Sequence, residues 1–305
     1  MLGNLSLPKI CFGTSPLGGM PELYGYEVSQ TSAEETVEAI FDSPIKFLDT
    51  SNNYGAGRSE TAIGNVIKRR GLPKDFIVAS KVDANQITSE FTAARVRKSL
   101  EESLTRLNLD YLPILYFHDP EYHISFDDAI AKNGPVAELQ KIKSEGLVGN
   151  IGIASYPIDL MTQYVETGWM DIVLSHNRFT ILDRSALSLM KLCKNMKIPF
   201  INAAAYGGGF LATENFVEKY AYRTAPSELL DAKDRLIEVC RNNSVALSVL
   251  SLQWSLRSEL VTSTVVGTAK ASRVSTLISD SQIVLSEEIW NQVEEALSPL
   301  HLFDQ

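Results

Sequence analysis

Residues 76–118 read FIVASKVDANQITSEFTAARVRKSLEESLTRLNLDYLPILYFH, and the hydrophobic pattern changes twice within them. Phe76–Lys81 is a short apolar, β-rich run that ends on a charge. In TAARVRKSLEESLTRL the apolar residues Val96, Leu100, Leu104 and Leu107 recur at helical spacing, with charged residues on the other face. Leu112–His118 is then a second apolar run. Strand, helix, strand in that order predicts two parallel strands joined by a right-handed crossover.

The same alternation extends in both directions. Further candidate strands are Lys9–Gly13, Ile45–Asp49, Val148–Ala154, Asp171–His176, Ile198–Ala203 and Ser263–Gly267, which brings the total to eight. Between them lie further amphipathic patterns. TSAEETVEAIFD places Val37, Ile40 and Phe41 on one face and predicts a capping box from Thr31 to Glu34. SEEIWNQVEEAL predicts a late helix with Ser286 at its N-cap. Eight strand–helix units imply an α/β chain folded as one (β/α)8 TIM barrel, a single domain over residues 1–305. A doubly wound sheet is the rival. No GxGxxG follows the first strand, however, and polar residues gather after several different strands, whose ends a barrel brings to one mouth.

Composition narrows the function classes. The 305 residues are 45% hydrophobic and 21% charged, as in a globular chain with a full core. Their net charge of −9 argues against nucleic acid or a membrane surface as partner. Cys11, Cys193 and Cys240 are far apart, without a CxxC pair, so neither a disulfide framework nor a cysteine metal site is expected. The opening MLGNLSLPKI lacks the pattern of a signal peptide, and no apolar run has membrane-spanning length. A cytoplasmic protein without a metal is the expectation. The longest connection, from about Tyr206 to Glu228, carries three successive glycines and several aromatics and has the length of a functional lid.

Four residues at or just past strand ends carry the chemistry. Asp49 ends FLDT, Tyr54 follows in SNNYGAGRSE, Lys81 ends IVASK and His118 ends LYFHD. Singly, each has a plain structural explanation: a turn cap, half-buried packing, a solvated strand end, the start of a turn. Together, at the adjacent second, third and fourth strand ends, a carboxylate, a phenol, an ammonium and an imidazole make a proton-transfer device. A phenol ordinarily titrates near pH 10, and a neighbouring ammonium is expected to lower that value. Asp49 would hold the ammonium, and His118 would donate to the substrate oxygen. Oxidation or reduction then needs an electron carrier.

The strings CFGT, FLDTSNNYGAGRSETAIG, IVASK, RVRKSLEESLTRLNLDYLPILYFHD, GLVGNIGIAS and STVVG resemble the aldo-keto reductase family along nearly the whole chain. The resemblance implies Asp49, Tyr54, Lys81 and His118 as the catalytic tetrad, with a nicotinamide dinucleotide bound without a Rossmann motif. SHNRFTILDRSA, NAAAYGGGFLA and LQWSLRS resemble the NAD(P)-dependent aldose 1-dehydrogenases acting on L-fucose, D-threo-aldoses or D-arabinose, and pyridoxal dehydrogenases look similar.

For the cofactor, the resemblance implies Ser155 together with Ser175 and Asn177 at the carboxamide. Ala203 stands where many members carry an aromatic residue that stacks on the nicotinamide. Gly207, Gly208 and Gly209 offer unobstructed amides to a pyrophosphate. Gly267, Thr268, Lys270 and Arg273 lie where the adenosine end is held. Gly267 replaces a lysine that pairs with a 2′-phosphate, and Leu277 replaces an asparagine, which inclines the expectation from NADP toward NAD. The expected reaction is hydride transfer between C1 of an aldose and the nicotinamide, giving a lactone, with a sugar or aldehyde as the small-molecule partner. An NADPH-linked aldehyde, ketone or pyridoxal oxidoreductase is the enzymatic alternative, and a slow-turnover regulatory subunit the non-enzymatic one.

Overall fold

The computed structural model describes residues 5–298. Eight parallel strands close into a barrel: β1 Ile10–Gly13, β2 Phe47–Asp49, β3 Ile77–Val82, β4 Leu112–His118, β5 Val148–Ser155, β6 Ile172–His176, β7 Phe200–Ala203 and β8 Ser263–Gly267. Each pairs with its sequence neighbours, and β8 closes on β1 in the register Cys11 to Val265. All eight expected strands are present, with ends moved by a residue or two. The crossover helices include α1 Gln30–Asp42, α2 Arg58–Arg70 and α3 Ala93–Leu107. After β7 come two helices, α4 Ser227–Asn242 and α5 Leu247–Leu256, and after β8 come α6 Ala271–Ser281 and α7 Glu287–Leu297. No helix among the described residues is long and apolar enough to cross a membrane.

Strand alternation divides the core in two. Phe12, Leu48, Val78, Leu115, Phe117, Ile153 and Val173 face outward and pack beneath the helices. Cys11, Phe47, Ile77, Ala79, Ile114, Tyr116, Ile172, Leu174 and Ile201 fill the barrel, with Leu5 and Leu7 packed against them. Stepping by two along the inner rows leads from Phe47 to Asp49, from Ala79 to Lys81, from Tyr116 to His118 and from Leu174 to His176. The same parity that fills the barrel with apolar side chains thus turns these four polar ones into its mouth.

Local details depart from expectation at one cap. Ser29, not Thr31, is the N-cap of α1: its backbone is extended, and its Oγ accepts from Ser32 N at 3.1 Å. Glu34 therefore closes no capping box; it accepts from Asn65 at 2.8 Å and pairs with Arg69 on α2. Ser286 does occupy the N-cap of α7, without a side-chain cap bond.

The long connection after β7 is folded rather than bare. Lys219–Tyr220 and Arg223–Thr224 form a small antiparallel hairpin, and the Tyr220 hydroxyl lies 2.7 Å from Thr180 Oγ1 in a buried contact. Gly207 has φ +58°, and a Cβ there would stand 2.3 Å from the Tyr220 ring. That glycine makes room for the hairpin.

Candidate active site

Lys81 organises the barrel mouth. It is 1% exposed, forms an ion pair with Asp49, and donates to Thr50 O at 2.6 Å and to the Tyr54 hydroxyl at 3.0 Å. Asp49 and Lys81 meet because β2 and β3 are neighbours and both residues point inward. Tyr54 comes from the turn after β2. That turn lies so tightly on residues 15–18 that a Cβ on Gly55, at φ +62°, would fall 2.0 Å from Gly18 O. His118 completes the set from β4, its ring edge-on to Tyr54 with centroids 6.0 Å apart.

The electrostatics correct one expectation. Lys81 does bond the Tyr54 oxygen, but burial, followed by the negative charges of Asp49, Asp119 and Asp83, pushes the phenol well above its usual value. In the protein alone, Tyr54 is a phenol.

Four further residues belong to the site. His118 Nδ1 lies 2.7 Å from Asp83 Oδ1 and 3.2 Å from Ser51 Oγ, while Nε2 faces Asp119 Oδ2 at 3.6 Å. Asp119 Oδ1 in turn faces His176 Nε2, again at 3.6 Å. Asp119 has a left-handed backbone, φ 43° and ψ 49°, a conformation aspartate tolerates. Burial opposes its charge, but His118 and His176 outweigh burial and hold its carboxyl down at about 2. Inward parity on β6 was the available signal for His176; Asp83 and Asp119 lie just past strand ends, where parity ceases to apply.

The expected cofactor residues form two groups. At the end of β6, Ser175 Oγ and Asn177 Oδ1 are buried without a partner, and Asn177 Nδ2 lies 3.0 Å from His176 Nδ1. Ser175 shares the outer row of β6 with Val173 and so faces away from the mouth, contrary to expectation; the orphaned Asn177 oxygen, just past the strand, calls for a polar ligand, and a carboxamide suits it. The Ser155 hydroxyl, by contrast, donates to Glu121 Oε2 at 2.7 Å. Ala203 ends β7 on the inner row and supplies no ring.

The second group lies between the glycine turn and the start of α6. Gly207, Gly208 and Gly209 all have positive φ, and a Cβ on Gly209 would meet only open space. The turn does not offer three free amides, however: Gly207 N donates to Ala204 O at 2.8 Å and Gly209 N to Tyr206 O at 3.2 Å, which leaves the Gly208 amide for a ligand. Lys270 is the N-cap of α6, and Thr268 is buried with its Oγ1 bonded to Lys270 O at 3.2 Å. Exposed Arg273 lies in the first turn of α6 and Gly267 ends β8. Tyr206, just before the glycine turn, has a buried hydroxyl without a partner. Free amides at a helix N-terminus beside cations fit a pyrophosphate.

Comparison with known proteins places this geometry. The model of the Aldo/keto reductase family matches residues 9–298. L-galactose dehydrogenase of Arabidopsis thaliana is 33% identical over 98% of this chain and 94% of its own length. D-threo-aldose 1-dehydrogenase of a Pseudomonas species is 28% identical over 96% of this chain and 95% of its own. Among solved structures, an aldo-keto reductase from Bacillus halodurans in its holo form superposes with a TM-score of 0.77 at 20% identity, over 96% of this chain and 93% of that one. This likeness bears on the fold alone. A closed eight-stranded barrel, the ion-paired lysine at its mouth and a family match over nearly the whole chain lead to one conclusion: the protein is an oxidoreductase belonging to the aldo/keto reductase family.

Proposed function

We propose that the protein is a nicotinamide-dependent aldose 1-dehydrogenase, oxidising C1 of a cyclic sugar to a lactone. The observation that carries this reading is Lys81, which joins the Asp49 carboxylate to the Tyr54 phenol at the inner end of a polar mouth. The cofactor, when bound, supplies the hydride acceptor at its nicotinamide C4. Asn177 would hold the carboxamide, and the Gly208 amide, Thr268, Lys270 and Arg273 the pyrophosphate and adenosine.

Tyr54 exchanges the proton of the substrate oxygen: phenol to carbonyl in reduction, tyrosinate from hydroxyl in oxidation. Lys81 favours tyrosinate locally, and the positive ring of an oxidised nicotinamide would favour it further. His118 bonds the same oxygen.

Substrate class follows from the groups around the mouth and from the relatives named for L-galactose and D-threo-aldoses. L-Fucose differs from L-galactose only in lacking the C6 hydroxyl, so the two sugars present the same C1 to the site. Tyr24, Tyr26, Tyr122 and His123 can bond hydroxyls and pack against a sugar ring, and a site committed to such bonds discriminates against analogues without them. NAD is the preferred cofactor. Lys270 and Arg273 are both exposed, and Leu277 is buried in the helix face, so among the described residues no enclosed cation cluster stands at α6 for a 2′-phosphate.

Initial rates with L-galactose, L-fucose, D-arabinose, pyridoxal and an aromatic aldehyde, each with NAD and with NADP, test the proposal. The expected order of kcat/KM puts L-galactose and L-fucose first, with NAD. A large advantage for the aromatic aldehyde, with negligible sugar oxidation, assigns the protein to general carbonyl reduction. Slow turnover of every substrate supports a regulatory role.

A further inference from the structure

Asp83 is not one of the four reacting residues, yet its carboxylate makes the shortest contact of the His118 ring, at 2.7 Å. A carboxylate only accepts, so Nδ1 carries a proton. The other nitrogen, Nε2, faces the Asp119 carboxylate at 3.6 Å. A neutral imidazole can donate from one nitrogen only; a ring between two carboxylates is complemented on both sides only when both nitrogens are protonated. The charged or titratable groups around it are Asp83 beyond β3, Asp119 beyond β4, Lys81 on β3, Asp49 on β2, Tyr54, and His176 on β6, which shares the Asp119 carboxylate; the Lys81 charge is matched by Asp49.

We propose that Asp83 is a positioning residue that holds His118 as an imidazolium with its Nε2–H directed at the substrate oxygen, making His118 a charged donor rather than a neutral one. The proposal rests on the reading of Asp49, Tyr54, Lys81 and His118 as the reacting set. Asp83 is built for this role. It is 5% exposed, its Oδ2 accepts from Ser51 Oγ and from Asn53 N at 3.0 Å, and its own amide donates to Ser99 Oγ at 3.0 Å. These bonds fix the carboxylate and leave Oδ1 to the ring. Burial disfavours the charged ring, but Asp119 and Asp83 outweigh burial, so the imidazolium persists above the ordinary histidine range.

The chemistry balances without proton transfer by His118. In reduction the carbonyl carbon gains the hydride, its oxygen takes the proton of the Tyr54 O–H, and the imidazolium donates to that oxygen throughout. A charge-assisted donor in a buried site stabilises the developing negative oxygen more than a neutral donor does. As pH rises through the elevated pKa, the proton leaves Nε2, because Asp83 retains the one on Nδ1. A lone pair then faces the substrate oxygen, and the reductive rate falls.

The test is ring 15N NMR of the full-length protein against pH, with His118→Gln identifying the resonance among the four histidines. It is paired with reductive kcat and KM profiles for wild type, Asp83→Asn and Asp83→Glu. The wild-type ring should keep both nitrogens protonated to a midpoint above the ordinary histidine value of about 6.5. In Asp83→Asn its midpoint should fall by about one pH unit or more, because one carboxylate partner is gone. Reductive kcat at pH 7 should fall roughly 10- to 100-fold with KM little changed, as expected for loss of one preorganised charge at the reacting oxygen, and Asp83→Glu should recover part of it. A wild-type midpoint at or below the ordinary value of about 6.5 overturns the proposal, and that arm needs no variant to fold. So does an Asp83→Asn protein that loses turnover while its 15N midpoint stays in place, since Asp83 would then act only through the Ser51–Tyr54 turn. If no aldose is oxidised, the sugar reading fails, while the NMR arm still decides the state of His118.

Discussion

The Lys81 ammonium stands 3.0 Å from the Tyr54 hydroxyl and at the same time pairs with Asp49, so one buried cation serves a phenol and a carboxylate together. Among the described residues, Lys81 is also the only hydrogen-bond partner of the Tyr54 side chain. Tyr54→Phe thus removes a transferable proton and little else. Turnover should fall by about 10² to 10⁴-fold, the usual contribution of a general acid–base group. Dinucleotide binding, followed by fluorescence titration, and the melting temperature should stay near wild type. Wild-type kcat in the Phe variant would remove Tyr54 from the proton-transfer role.

The barrel was legible because its strands are short β-rich runs separated by helices with clear apolar stripes. Parity along Phe47–Asp49, Ala79–Lys81 and Tyr116–His118 then carried three of the four reacting residues to one mouth. Two kinds of information were not in the pattern. The partners of His118 depend on how the chain turns after β3 and β4, which periodicity does not encode. The sign of the Tyr54 shift depends on a sum over burial and three carboxylates, where the sequence pointed only to Lys81. Thr31 was misread for a similar reason: spacing allows a capping box, but the residue with extended backbone is Ser29.

Lys81→Met should abolish most turnover and also destabilise the fold, because it leaves Asp49 buried without its cation. Breaking one side of a buried pair costs about 3–5 kcal/mol when the remaining charge cannot be relieved. Burial already pushes the Asp49 carboxyl upward, against the pull of Lys81, and without that pull its folded pKa rises further. A carboxyl with a raised folded pKa destabilises only above its unfolded value of about 3.9, so the deficit should be small near pH 4 and grow toward pH 7. Asp49→Asn should lower activity less, since Lys81 keeps its bonds to Thr50 O and Tyr54. Urea unfolding at several pH values, with kcat alongside, checks both statements. A deficit in Lys81→Met independent of pH would show that lost packing, not an unpaired carboxylate, sets its stability.

Gly207 separates the structural use of the triple glycine from its use toward a ligand. Gly207→Ala places a side chain in the left-handed region, at about 1–2 kcal/mol, and drives its Cβ into the Tyr220 ring 2.3 Å away. Overpacking of that kind adds about 1–3 kcal/mol unless the ring moves. The Tyr220 ring is anchored by Thr180 at one end and packed edge-on against Phe210, with centroids 5.5 Å apart, so its movement would loosen the hairpin after β7. Gly25→Ala supplies the comparison, because Gly25 also has positive φ, at +75°, but nothing lies within 4 Å of its added Cβ. The Gly207 variant should therefore melt lower than the Gly25 variant and be cut faster by protease between residues 207 and 226. In a Tyr220→Ala background most of that extra loss should vanish, since the clashing ring is gone. If it persists there, the glycine is required by the backbone alone and the hairpin is held by other contacts.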